Sequence, residues 1–124
     1  MQPSACQRPV VLIVEDEFLV RMDTGALETA GFDVIEAGDA DEAIAILSAR
    51  NDIRLIFTDI HMPGSMDGLK LAHFVRDRWP PVKVVATSGR ARITDSDLPE
   101  GGRFLPKPYS AAELTATLHE LMNG

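Results

Sequence analysis

Short runs of apolar residues alternate along this chain with longer segments in which apolar residues recur every three or four positions. The runs are typical of strands buried on both faces of a parallel sheet, and the longer segments are typical of amphipathic helices. The pattern predicts strands over 10–14, 33–36, 55–57, 82–87 and 103–105, and helices over about 18–30, 39–50, 67–79 and 110–122. Because strands and helices alternate, we expect right-handed βαβ units. The predicted fold class is α/β, a doubly wound five-stranded parallel sheet.

Local signals set several of the predicted helix ends. Asp39 with Glu42, and Ser110 with Glu113, have the spacing of a capping box, so each pair predicts a helix start. The proline pair 80–81 ends the third helix, since proline cannot continue the hydrogen-bond ladder.

Segment 90–102, between the fourth and fifth strands, interrupts the alternation. It contains Pro99 and two adjacent glycines, and its apolar anchors are Ile93 and Leu98. Proline removes an amide donor and glycine loses more conformational freedom than other residues when it is ordered. We therefore predict a short or irregular fourth helix in this segment.

Composition and charge narrow the functional classes. A chain of 124 residues with 45% hydrophobic and 25% charged residues is one globular domain, which we assign to 10–124 after a polar leader over 1–9. Twelve basic against 19 acidic residues give a net charge of −7, which argues against nucleic-acid binding. The single cysteine, Cys6, excludes an internal disulfide, and no apolar run is long enough to cross a bilayer. We therefore expect a cytoplasmic protein with no membrane partner.

The ends of four predicted strands carry groups with complementary chemistry. Glu15 and Asp16 end the first strand, Asp59 the third, Ser88 the fourth and Lys107 the fifth. Strand ends converge at one edge of such a sheet, where two carboxylates about 4 Å apart repel by on the order of 4 kcal/mol unless a cation joins them. Oxygen ligands suit Mg²⁺, and a lysine and a hydroxyl suit phosphoryl oxygens. The set matches the requirements of phosphoryl transfer to an aspartate.

Four motifs carry these groups: Val14-Glu15-Asp16-Glu17, Asp59 with Met62-Pro63-Gly64 and Met66-Asp67-Gly68, Thr87-Ser88-Gly89, and Lys107-Pro108-Tyr109. In this order the chain, from Val10 to Met122, resembles the receiver domain of two-component response regulators. The resemblance implies a flavodoxin-like strand order of 2-1-3-4-5, Mg²⁺ as cofactor, and a phosphorylation-controlled signalling switch rather than an enzyme. Since no effector domain follows the last helix, we expect a stand-alone regulator unless the chain is a fragment of a larger one.

The resemblance also implies roles for individual residues. Asp59 would accept the phosphoryl group, Asp16 would be a direct Mg²⁺ ligand, and Glu15 would help to hold the metal through water. The third protein ligand in the family is a backbone carbonyl, which here falls on His61. Lys107 corresponds to the lysine of the family.

Two further positions concern the switch that follows phosphorylation. Ser88 matches the switch hydroxyl, because Gly89 supplies the small residue that usually follows it, while the adjacent Thr87 stays an alternative. Phe104 matches the aromatic switch position on the fifth strand.

Two departures from the family and one backbone feature accompany these assignments. Glu15 stands where aspartate is usual, and the loop over 64–68 is one residue longer than the commonest form. We also predict a cis peptide bond between Lys107 and Pro108, because Lys107 must point inward while Ser110 begins a helix.

The resemblance further implies the partners. The phosphoryl donor would be a histidine kinase, a histidine phosphotransfer protein or a small phosphodonor. The output would be protein contact or onward phosphotransfer, through a signalling face formed by segment 90–102, the fifth strand and the last helix, and a homodimer stays open. We expect segment 90–102 to be the most mobile part of that face and to become ordered on phosphorylation.

Three alternative functions fit the sequence less well. A hydrolase of the haloacid-dehalogenase type also forms an aspartyl phosphate, but it usually has a second acid two residues after the nucleophile, where this chain has His61. A nucleotide-binding module is disfavoured because no phosphate-binding glycine motif follows the first strand. A degenerate receiver that acts only as a docking surface is disfavoured because the set of acids, hydroxyl and lysine is complete.

Overall fold

Strands and helices alternate through the described part of the chain. The computed structural model describes residues 8–15, 24–61, 66–89, 97–99 and 101–123. The strands are β1 (Val10–Val14), β2 (Asp33–Ala37), β3 (Ile53–Asp59), β4 (Lys83–Ser88) and β5 (Arg103–Pro106). The helices are α1 (helical at residues 24–29), α2 (Ala40–Ala49), α3 (Gly68–Arg78) and α4 (Ala111–Asn123). The predicted α/β class is confirmed.

The strands form one parallel sheet in the order β2-β1-β3-β4-β5. This is the flavodoxin-like order that was predicted. In β1, Leu12 and Val14 belong to the core cluster on one face, whereas Val11 and Ile13 belong to the cluster on the other. Full burial of such a side chain contributes roughly 1.5–3 kcal/mol, so both faces of this strand favour apolar residues.

Helices cover both faces of the sheet. Ala43 of α2 and Leu71 of α3 pack into one core cluster, while Leu27 of α1 and Leu114 of α4 pack into the other. No helix in the described ranges is long and apolar enough to cross a membrane.

Both predicted capping signals start helices. The Asp39 side chain accepts a hydrogen bond from the amide of Glu42 at 2.9 Å, and Glu42 accepts one from the amide of Gly38 at 2.7 Å. Before α4 the bonds are fully reciprocal, because Ser110 and Glu113 each accept from the other's amide, at 3.0 and 2.9 Å. In the first pair the return bond has moved by one residue, to the amide that precedes the cap.

Several strand boundaries differ from the prediction by one or two residues. β3 begins at Ile53, which is buried and pairs with β1, but the exposed Arg54 interrupts the apolar pattern and concealed this start. β4 and β5 each extend one residue further, since Ser88 and Pro106 form the last pair of their ladder.

The irregular segment between β4 and β5 is described only in part. Residues 90–96 and 100 lie outside the described residues, so the predicted short helix and its mobility stay predictions. Leu98 is 5% exposed and packs in the same core cluster as the buried residues of α3, so it is an anchor as predicted. The Asp97 carbonyl lies 3.1 Å from Nε2 of His73 on α3.

Candidate functional site

Four strand ends meet at one edge of the sheet. The last ladder partners at this edge are Val14 with Thr58, Asp59 with Thr87, and Ser88 with Pro106. This register brings Glu15, Asp59, Ser88 and Lys107 to neighbouring positions, as expected for the carboxyl edge of a parallel sheet. The convergence that the sequence predicts is therefore present for these four residues.

Asp59 is held by two hydrogen-bond donors. It is the last residue of β3 and is 8% exposed. Its Oδ2 accepts a hydrogen bond from Nζ of Lys107 at 2.7 Å, and its Oδ1 accepts one from the backbone amide of His61 at 3.1 Å. Both donors stabilise negative charge on the carboxylate. An ionised carboxylate in a fixed orientation is suited to nucleophilic attack.

Lys107 bridges three strands. Its backbone amide donates to the carbonyl of Ser88 on β4 at 3.1 Å, while its ammonium group reaches Asp59 on β3. Its side chain is 25% exposed, against 11% for that of Asp59, so the ion pair is partly shielded from water. The peptide bond to Pro108 is cis, as predicted.

Glu15 lies beside β3 and contacts the loop that carries Lys107. It is 1% exposed, and its Oε1 accepts a hydrogen bond from the Tyr109 hydroxyl at 3.2 Å. The Tyr109 ring packs edge-on against Phe57 of β3, with 5.7 Å between the ring centroids. A buried carboxylate is therefore oriented by a side chain 94 positions away in sequence.

The adjacent hydroxyls of Thr87 and Ser88 have different environments. Thr87 is fully buried, and its Oγ1 donates to the carbonyl of Leu105 on β5 at 2.6 Å. Ser88 is 3% exposed and stands one residue further along, at the edge where Asp59 and Lys107 meet. The Thr87 hydroxyl thus joins β4 to β5, whereas Ser88 lies at the edge itself.

Gly68, the first residue of α3, touches the backbone at the end of β3. Its amide donates to the carbonyl of Ile60 at 2.9 Å. A Cβ at this position would collide with the carbonyl oxygen of Asp59 and would lie 2.7 Å from the Asp59 carbonyl carbon. Only glycine permits so close an approach of helix and strand.

Phe104 lies near the same edge but is not part of the carboxylate cluster. It is half-buried, pairs with Ala86 in the β4–β5 ladder, and packs against the core cluster that contains Leu98. Its neighbour Arg103 forms an ion pair with Glu120 of α4, with 3.0 Å between Nη2 and Oε1. β5 and α4 are therefore joined at their surface.

Two predicted elements of the site lie outside the described residues. These are Asp16, the predicted direct Mg²⁺ ligand, and the loop 62–65. Within the ranges that the structure covers, no three acidic, histidine or cysteine side chains gather closely enough to hold a metal ion. His61 is exposed, and its amide rather than its side chain contacts Asp59.

Sequence reasoning missed two contacts of the site. Gly68 stands out in the sequence only as part of a motif, because sequence spacing does not show that α3 begins against the backbone of Asp59. The sequence predicts no role for Tyr109, because spacing does not show that its hydroxyl reaches Glu15. The hydroxyl that distinguishes tyrosine from phenylalanine was the available signal, since a buried hydroxyl usually finds a polar partner.

The profile of the family described as response regulator receiver domain matches residues 11–119. The chain belongs to this family. Receiver domains are phosphorylation-controlled signalling domains, and a hydrolase of the haloacid-dehalogenase type finds no support among the relatives.

Individual relatives agree with this assignment. The receiver is 37% identical over 121 residues to the aerobic respiration control protein ArcA of Escherichia coli. The aligned part is 94% of this chain and 50% of ArcA. It is 36% identical over 117 residues to the sensor kinase CckA of Brucella abortus, covering 90% of this chain and 12% of CckA. The receiver thus spans about half or less of these two relatives.

Solved structures show the same fold over nearly the whole chain. A response regulator receiver protein from Sinorhizobium medicae superposes with a TM-score of 0.88 at 27% identity. The match covers 96% of this receiver and 98% of that chain. The receiver domain of the hybrid histidine kinase CckA superposes with a TM-score of 0.76 at 31% identity. The match covers 91% of this receiver and 98% of that chain.

Receiver domains generally depend on Mg²⁺, and the donor set of this one fits such an ion. Glu15 and Asp59 are both at least nine-tenths buried at neighbouring strand ends, and Lys107 supplies one positive charge beside Asp59. Carboxylate oxygens are the ligands that Mg²⁺ prefers, and a divalent cation would offset the remaining negative charge.

Proposed function

We propose that Asp59 accepts a phosphoryl group from a phosphohistidine of a histidine kinase or a histidine phosphotransfer protein. The observation that carries this proposal is the 2.7 Å contact between Nζ of Lys107 and Oδ2 of Asp59 at the edge where the strand ends meet. The match to the sensor kinase CckA supports a donor of this class.

The chemistry is a displacement at phosphorus. A carboxylate oxygen of Asp59 forms the new O–P bond while the N–P bond to the donor imidazole breaks. The leaving nitrogen keeps the electron pair of that bond and is protonated from water. Lys107 neutralises charge on the phosphoryl oxygens, and the amide of His61 keeps the carboxylate oriented during the attack.

A Mg²⁺ ion would be held by Glu15, Asp16, Asp59 and the backbone carbonyl of His61. When bound, it would supply positive charge to the phosphoryl oxygens. Glu15 is one methylene longer than the aspartate that is usual at this position, and its carboxylate is already bonded to the Tyr109 hydroxyl. This supports a contact through water for Glu15.

Phosphorylation would then bias the signalling face. Ser88 moves toward the new phosphoryl oxygens, and Phe104 occupies the space that this movement leaves. The change reaches partners through segment 90–102, β5 and α4, by protein contact, by onward phosphotransfer or by pairing with a second copy. We place this switch in the cytoplasm, and the chain's single cysteine fits a reducing compartment.

Incubation with a small phosphodonor and MgCl₂, followed by intact-mass measurement, tests the acceptor. The expected result is a gain of one phosphoryl group that disappears when Mg²⁺ is chelated and is absent in Asp59→Asn. Asp41→Asn, an exposed acid in the first turn of α2, is the matched control and should be phosphorylated like the wild type. Modification that persists in Asp59→Asn would place the acceptor elsewhere.

A further inference from the structure

The proposed phosphoryl transfer does not use the hydrogen bond between Tyr109 and Glu15. The phenolic hydroxyl donates to Oε1 of Glu15 at 3.2 Å, and Glu15 is 1% exposed. Glu15 follows β1 directly, and in the ladder its preceding residue pairs with the one before Asp59. The contact therefore acts on a carboxylate that neighbours the phosphoacceptor.

The tyrosine is fixed from the opposite direction by the sheet. Its ring meets that of Phe57 edge-on, with an interplanar angle of 80°, and Phe57 is fully buried in β3 two residues before Asp59. Edge-to-face pairs of this kind contribute roughly 0.5–1.5 kcal/mol beyond the area they bury. The hydroxyl thus occupies a defined position relative to the end of β3.

One short loop contacts two acids of the site, Asp59 and Glu15. Lys107 pairs with Asp59, and Tyr109, two residues later, donates to Glu15. A glutamate has one more rotatable bond than an aspartate, so its carboxylate needs an additional contact to hold one orientation. Tyr109 supplies that contact.

We propose that Tyr109 is a positioning residue for Glu15 and sets the affinity of the site for Mg²⁺. This inference rests on the proposed function, because it takes Glu15 as part of the metal site. The hydroxyl fixes the plane of the carboxylate through Oε1 and so orients the group toward the ion or its bound water. Outer contacts of this kind change metal affinity by roughly 10- to 100-fold when they are removed.

Calorimetric titration of the unphosphorylated protein with MgCl₂ tests the proposal without a measurement of activity. Tyr109→Phe keeps the ring against Phe57 and removes only the hydroxyl. We expect its Mg²⁺ dissociation constant to rise by about tenfold, at the low end of that range. Urea unfolding without metal serves as the control, because it shows which fraction of Tyr109→Phe is folded. If more than nine-tenths of the variant is folded, unfolding cannot explain a tenfold rise in the dissociation constant.

A double-mutant cycle shows whether the hydroxyl acts through Glu15. Glu15→Asp shortens the side chain and withdraws the carboxylate from the hydroxyl. In that background Tyr109→Phe should change the dissociation constant by less than about twofold, because the contact is already lost. An equal loss in both backgrounds would show that Tyr109 acts by another route and would overturn the proposal.

The two proposals fail in different ways. If the wild type does not bind Mg²⁺, the metal site of the proposed function is wrong, and this inference falls with it. If the wild type binds Mg²⁺ and loses the binding in Asp59→Asn, but Tyr109→Phe binds as tightly as the wild type, only the role of Tyr109 is wrong.

Discussion

No side chain fits between Gly68 and the carbonyl group of Asp59. A Cβ on Gly68 would lie 2.7 Å from the carbonyl carbon of Asp59 and 2.7 Å from Cα of Ile60, distances that real Cβ atoms do not adopt. The first turn of α3 therefore packs directly on the backbone of Asp59. The orientation of Asp59 depends on a residue with no functional group.

Gly68→Ala should destabilise the domain and slow phosphorylation of Asp59. The methyl group meets backbone atoms, which cannot rotate away as a flexible side chain can, so α3 or the end of β3 must shift. Overpacking of this kind costs about 1–3 kcal/mol. Urea unfolding gives the free energy of unfolding, and the rate of mass gain with a small phosphodonor gives the effect on the site.

Gly25→Ala is the matched control for this substitution. Gly25 lies in the helical residues of α1, and a Cβ there would meet nothing within 4 Å. Alanine should stabilise the domain by about 0.5–1 kcal/mol, because it restricts the unfolded chain and favours the helix. If both variants behaved alike, the contact between Gly68 and Asp59 would have no special importance.

Lys107→Met should destabilise the metal-free domain through the carboxylate it leaves behind. Methionine keeps most of the stem but removes the ammonium group from the 2.7 Å contact with Asp59. Because both side chains are partly exposed, we expect the free energy of unfolding to fall by about 1–3 kcal/mol, which is less than the loss for a fully buried pair. Added MgCl₂ should restore part of the loss, since the ion replaces the missing charge and binds only the folded state.

Combining Lys107→Met with Asp59→Asn shows whether the loss of stability arises from the unpaired charge of Asp59. An amide at position 59 carries no charge that needs compensation, so Lys107→Met should then cost less by about 1 kcal/mol or more. If the two substitutions had additive effects on the free energy of unfolding, the ion pair would contribute nothing to stability despite its short distance.

Arg8→Ala should destabilise the packing between α1 and β2. Nη2 of Arg8 donates to the carbonyls of Glu28 and Phe32 at 2.7 and 2.8 Å, and Nε lies 3.0 Å from Oδ1 of Asp33. Glu28 lies in the last turn of α1, where carbonyls need partners from outside the helix, and Phe32 directly precedes β2, so Arg8 links the helix end to the strand. The ion pair is exposed and contributes little, so we expect about 1–2 kcal/mol from the backbone bonds.

Thermal or urea unfolding of Arg8→Ala, beside Arg54→Ala, measures this effect. Arg54 is an exposed arginine on β3, and its replacement should change the free energy of unfolding by no more than about 0.5 kcal/mol. A loss of equal size in both variants would indicate a general effect of charge in place of the contacts of Arg8.

The parallel sheet and the meeting of strand ends were predictable because buried apolar runs alternate with helical segments, whereas the strand order came from the resemblance to receiver domains. β1 illustrates this, since its neighbouring residues face opposite core clusters and all of them are apolar. The start of β3 was not predictable in the same way. Arg54 points to solvent within a strand, and the pattern alone cannot distinguish that from a loop residue.

Contacts within the site depend on geometry that no spacing rule reports. Lys107 and Asp59 could be paired from the sequence because Asp59 ends β3 and Lys107 directly follows β5, so the strands position both residues. Tyr109 reaches Glu15 through a loop whose path depends on the packing of its ring against Phe57. Prediction was therefore good for residues that strands position and poor for residues that loops position.

The choice between Ser88 and Thr87 as the switch hydroxyl leads to the last prediction. Thr87→Val keeps the shape of the side chain but removes the donor to the carbonyl of Leu105, a bond of 2.6 Å in a fully buried position. It should lower the free energy of unfolding by about 1–3 kcal/mol, because a buried carbonyl loses a partner. The response to phosphorylation should survive, since the bond joins β4 to β5 and does not reach Asp59.

Ser88→Ala should show the opposite behaviour. It should still gain a phosphoryl group at Asp59, but hydrogen exchange in β5 and α4 should not change after that gain, because the hydroxyl that senses the phosphoryl oxygens is missing. Hydrogen exchange of wild type, Ser88→Ala and Thr87→Val, each before and after phosphorylation, gives the comparison. Phosphorylation should alter exchange in β5 in the wild type and in Thr87→Val alone. An unchanged response in Ser88→Ala together with its loss in Thr87→Val would assign the switch to Thr87, and the interstrand bond to Leu105 would then have to break during the transition.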